Sequence, residues 1–178
     1  MTSLFHFFAC TAIMLASNHS EQANVKTAWE QWLAKPNPTT ANKVSTIEYS
    51  SPDHDEDQRT TRELRTLYRH IQNNQTEAIR LALRLTQTTA PGHQLEELHD
   101  MLGHASRHRT ANYLRALAAE PDISDCPGVD FLGERFVDRP TKRTAEIQAR
   151  RQILNKIKNP KLIETRNRCL RILEQENS

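Results

Sequence analysis

Apolar positions recur along most of the chain at three- and four-residue intervals, the spacing of helices that bury one face. Residues 23–34 place Val25, Ala28, Trp29, Trp32 and Leu33 on one such stripe, which Pro36 and Pro38 end. The stretch 37–59 is polar and predicts a loop, with a short apolar patch at Val44, Ile47 and Tyr49. Leu64, Leu67, Tyr68 and Ile71 then form a stripe over residues 60–72. Asn74 and Glu77 have the spacing of a capping box and predict a second helix through Thr88. In that helix Ala78, Ile79, Leu81, Ala82, Leu83 and Leu85 leave only a narrow polar strip, so it should be the most buried. Beyond Pro91-Gly92, residues 93–108 carry Leu95, Leu98, Met101, Leu102 and Ala105, and residues 110–119 give a short helix. Cys126-Pro127-Gly128 marks a turn before an apolar knot of Val129, Phe131, Leu132, Phe136 and Val137. Pro140 suits the start of a helix over 141–158, and Leu162, Ile163, Cys169, Leu170, Ile172 and Leu173 define the last one.

No alternation of period two competes with these stripes. The pattern therefore predicts an all-α fold of about six or seven antiparallel helices. Pairs at 60–89, 93–119 and 141–176 have lengths compatible with stacked helical repeats. In this pattern the chain resembles HEAT-like repeat proteins. Its tail, GERFVDRP followed by NPKLIETRNRCLRIL, is similar to helical tails of uncharacterised exported bacterial proteins. The resemblance implies a short solenoid and supplies no activity; an irregular helical bundle carries the same stripes.

Leu4–Ala16 is apolar apart from His6 and Thr11, and no charged residue precedes Glu21. A run of this length is short for a bilayer span and suits the apolar region of a secretory signal. The expected organisation is a signal at 1–20, an N-terminal helix with a polar acidic loop at 21–59, and a helical domain at 60–178. Location is then secreted or periplasmic. A buried N-terminal helix or an uncleaved anchor would instead make the protein cytoplasmic or membrane-anchored. Signal removal would discard Cys10 and leave Cys126 and Cys169, a pair able to bridge in an oxidising compartment. Alternatively, Cys169 is a small buried hydrophobe and Cys126 a free loop thiol.

At 178 residues, 37% hydrophobic and 26% charged, the chain is long and apolar enough for one folded core. Its 4 glycines leave little room for phosphate-cradling loops, and 3 cysteines exclude a four-cysteine zinc site. No nucleophile elbow, P-loop, H-E-x-x-H or dinucleotide motif occurs, so neither catalysis nor a cofactor is expected. One helix face gathers His93, Glu97, Asp100, His104 and His108. His104 and His108 at i, i+4, with Asp100 one turn earlier, are weak candidate metal ligands, although a solvated face explains them better and no metal is assigned. Asp53, Asp55 and Asp57 are spaced like the start of a calcium loop, but Gln58 and Leu64 stand where Gly and Glu are required.

The net charge is only +2, yet residues 139–171 hold 11 basic residues against Glu146 and Glu164. Lys142, Arg143, Arg150, Arg151 and Lys158 form a candidate patch for an anionic partner. That segment has no aromatic residue on which bases could stack. Trp29 and Trp32 are read as core, or else as a partner anchor. The leading expectation is a non-catalytic, exported helical module that binds a protein partner. The alternative is a cytoplasmic nucleic-acid-associated protein that uses the basic C-terminal helices.

Overall fold

Asn37 converts the proline-rich stretch after Trp32 into a helix start. Its side-chain oxygen accepts from the Thr40 amide at 3.1 Å, and the Thr40 hydroxyl accepts from the Asn37 amide at 3.3 Å. Pro38 fits the first helical position, where its missing N–H costs nothing. The computed structural model describes residues 28–46, 54–133, 136 and 138–175, with backbone alone over 54–61. The expected signal at 1–20, with Cys10, and Asp53 lie outside the described residues.

Two units divide the chain, residues 1–47 and 48–178. In the first, α1 (helical residues 28–34) and α2 (Pro38–Ser45) bury Trp29, Trp32, Ala41 and Val44. The Trp29 and Trp32 rings meet edge-on, 6.0 Å apart between centroids, and Lys43 Nζ donates to Gln31 Oε1 at 2.8 Å. The polar stretch 37–59 is therefore not wholly loop. Besides α2, its acidic run Asp55–Asp57 lies in the first turn of the next helix, where the positive end of the helix dipole favours carboxylates.

The second unit comprises α3 (His54–Gln72), α4 (Thr76–Thr88), α5 (His93–His108), α6 (Thr110–Ala118), α7 (Pro140–Asn155) and α8 (Ile163–Gln175). A single 3-10 turn, Pro160–Leu162, precedes α8. The fold is all-α, with no strand among the described residues. Helices pair within hairpins, α3 on α4, α5 on α6 and α7 on α8. Across hairpins α3 packs on α5 and α5 on α7, while α4 packs on α6 and α6 on α8. Two rows of helices result.

Asn74 plays a different part from the one its spacing predicts. It adopts φ +66, with its amide bonded to the Ile71 carbonyl and the Gln75 amide to the His70 carbonyl. That is a left-handed stop for α3, which asparagine tolerates, rather than a cap for α4. Helix α4 starts at Thr76 without a side-chain cap. Tertiary packing holds it instead: Ala78, Ile79, Leu81, Ala82, Leu83 and Leu85 are all buried, between α3, α5 and α6. Each of the four buried Ile and Leu side chains contributes about 1.5–3 kcal/mol, so together they outweigh a missing cap.

The connection from α6 to α7 is the unusual element, because a loop of this length would ordinarily lie on the surface. Cys126, Pro127, Gly128, Val129 and Leu132 are instead buried. Four helices fasten it. Tyr113 on α6 donates its hydroxyl to the Pro127 carbonyl at 3.0 Å, and burial holds that phenol protonated. Cys126 is bonded to Cys169 on α8, with Cα atoms 5.4 Å apart. Arg150 on α7 donates through Nη1 to the carbonyls of Gly128 (3.1 Å), Val129 (2.7 Å) and Phe131 (3.0 Å). On α5, Gly103 presents no side chain, and the loop backbone closes onto it.

Candidate functional site

The five polar residues that share a face of α5 converge on one open cleft of about 370 Å³. α3 adds Tyr68, α7 adds Glu146 and Arg150, and the loop adds Phe131, Leu132 and Gly133. The first helix of every hairpin in the second unit thus contributes to it. Helix α5 can run between α3 and α7 because its other face, Leu98, Met101, Leu102 and Ala105, is buried.

At one end of the cleft the imidazoles of His104 and His108 stand 4.6 Å apart between centroids. Tyr68 meets His104 edge-on at 5.4 Å. Partial desolvation lowers the His108 pKa, the Arg107 and Arg109 charges act in the same direction, and Glu146 opposes them. His108 is therefore neutral at neutral pH. Glu146 Oε1 accepts from Nε of both Arg107 and Arg150, each at 3.1 Å. At the other end His93 Nε2 lies 3.4 Å from Glu97 Oε1, and Asp100 turns toward Gly133, where a methyl group would sit 3.1 Å from its Oδ1.

Asp100, His104 and His108 all line the cleft. Among the described residues no group of three or more His, Cys, Asp or Glu is arranged to hold a metal ion.

The basic patch expected on the C-terminal helices is divided by burial. Lys142, Arg143 and Lys158 are exposed, whereas Arg151 is half-buried and 3.5 Å from Glu174. Arg150 does not belong to that surface. It is 4% exposed, and burial pulls its pKa below the ordinary arginine value while the hydrogen bond to Glu146 opposes the shift. A buried guanidinium needs partners for its donors, and the three loop carbonyls take Nη1 while Glu146 takes Nε. Its place is legible in retrospect: Ile147, Arg150 and Leu154 are spaced i, i+3, i+7, and all three are buried.

A second cavity, of about 690 Å³, adjoins the loop and shares Glu96, Phe131, Leu132 and Gly133 with the first. It adds Asp125, Asp130, His99, Phe136, Arg143 and Ile172. The His99 ring meets Phe131 edge-on at 5.9 Å. No helix among the described residues is long and apolar enough to cross a membrane. The chain matches no family model, no curated protein and no solved structure.

Proposed function

We propose that the protein is an exported, non-catalytic helical-repeat module that binds a protein partner in the cleft of the α3–α5–α7 row. One observation carries this reading: three consecutive hairpins and a fastened loop supply side chains to a single open cleft. Because disulfide, arginine clamp and tyrosine hold the loop before any partner arrives, little ordering entropy is left to lose on binding. The Cys126–Cys169 bond supports an oxidising compartment, where such bonds persist. Removal of residues 1–20 as a signal accords with that location. The nucleic-acid alternative loses Arg150 to the interior and has Arg151 beside Glu174.

The test is intact mass and crosslinked partners of the protein recovered from its host. The expected result is an exported species shortened by about twenty residues at its N-terminus, a usual signal length, with a protein adduct on α5 or the loop. A full-length species retained with nucleic acid would overturn the reading.

A further inference from the structure

We infer that the partner docks through a cationic segment, a stretch in which Lys or Arg stands beside apolar residues; this rests on the cleft being a protein-binding site. The two cavities share Glu96 and the ridge 131–133, so a segment laid across that ridge reaches both. Within them the arginines are already engaged. Arg107 and Arg150 are held by Glu146, and Arg143 has an interaction of its own. The carboxylates are not matched in the same way. Glu96, Asp100, Asp125 and Asp130 take part in no ion pair among the described residues. The remaining field at the groove is therefore negative, although the whole chain is positive.

Glu97 belongs with these carboxylates. Oε2 of Glu97 is fully enclosed and accepts no hydrogen bond, while its Oε1 faces His93. The partly exposed Glu97 side chain thus meets no arginine or lysine, and its carboxylate adds to the unmatched negative charge that a cationic group would meet. Apolar contact comes from Phe131, Leu132 and Phe136 on the ridge and beside it. Apolar ridge and unpaired acids together select a segment carrying both characters, and an acidic peptide or a phosphate backbone would be repelled.

The experiment measures binding of a fluorescent decapeptide of alternating Lys and Leu to the oxidised protein, against a Glu-Leu counterpart. Glu96→Lys is the informative variant, because Glu96 is exposed, lines both cavities and can be changed without disturbing the core. The expected result is binding of the Lys-Leu peptide only, weakened by salt and weakened about tenfold by Glu96→Lys, with unchanged helical circular dichroism. Equal binding of both peptides, preference for the Glu-Leu peptide, or indifference to Glu96→Lys would overturn the proposal. If a partner crosslinks to α5 or the loop but the Lys-Leu peptide does not bind, the cationic class is wrong and the binding role stands. If neither binds, both fall.

Discussion

Gly103 on α5 and Gly128 in the loop meet backbone to backbone: a methyl group on Gly128 would sit 2.8 Å from the Gly103 amide nitrogen, and one on Gly103 would sit 3.0 Å from the Gly128 carbonyl oxygen. Neither obstacle is a flexible side chain, so neither can step aside. Gly128 also has φ +77, a conformation that L-residues rarely adopt. Gly128→Ala should therefore destabilise the fold by about 3 kcal/mol or more, through clash and strain together. Gly92→Ala provides the comparison, since φ there is +150 but nothing lies within 4 Å of the added methyl. It should cost only about 1–2 kcal/mol, the strain alone. Urea unfolding of the two variants separates the effects.

Arg150 joins α7 to three successive carbonyls of the buried loop. Replacing it with Met leaves the buried Val129 and Phe131 carbonyls without that donor, while Gly128 keeps the Phe131 amide and Glu146 keeps Arg107, and should cost about 3–5 kcal/mol. Arg151→Met, one position along, loses only an exposed contact at 3.5 Å and should stay within about 0.5 kcal/mol. Chemical denaturation gives both values. Equal effects would mean that the clamp contributes nothing specific.

The contrast between these neighbours shows where the sequence is informative. Stripes such as Ala78 to Leu85 are legible because burying a helix face needs only a period, which one dimension records. The α5 face is legible for the same reason, and its five residues do reach one cleft. What opposes that face is not local. Tyr68, Glu146 and the ridge 131–133 arrive from other elements, and no spacing within α5 announces them. Counting charge by segment placed Arg150 on a surface, whereas its position beside Ile147 and Leu154 placed it inside. The spacing of Asn74 and Glu77 reads as a cap, whereas the backbone at Asn74 is a left-handed stop, a conformation the spacing does not record. Gly103 is the local sign of this contact, since a glycine within a helical stripe signals close approach of another backbone.

The Cys126–Cys169 bond closes a segment of 43 residues that contains the loop and all of α7. Reducing it should lower stability by roughly 4 kcal/mol on the chain-entropy model. Alkylation of the unfolded protein should label neither cysteine before reduction and both afterwards. Labelling of both before reduction would contradict the bond.

His108 sets a pH dependence whose sign follows from its lowered pKa. Above about pH 6.5 the imidazole is neutral in both folded and unfolded chains and contributes nothing. Below that value the unfolded chain takes up the proton first, so stability falls as pH falls and levels off once the folded form is protonated too. The effect should be small and salt-sensitive, since the ring is partly exposed. His108→Gln should flatten that part of the stability profile, measured as denaturation midpoints between pH 7.5 and about 5. An unchanged slope would show that another group titrates there.

Whether the cleft is where a partner sits is tested most directly by site-specific photocrosslinking in the protein's own compartment. A photoreactive side chain is placed at Glu96, on the cleft, and in a second protein at Lys161, in the exposed turn before α8. The account predicts a discrete protein adduct at position 96 that is absent at position 161 and lost when Asp100 is changed to Lys. Adducts of equal yield at both positions, or none at position 96 while position 161 captures a partner, would contradict it.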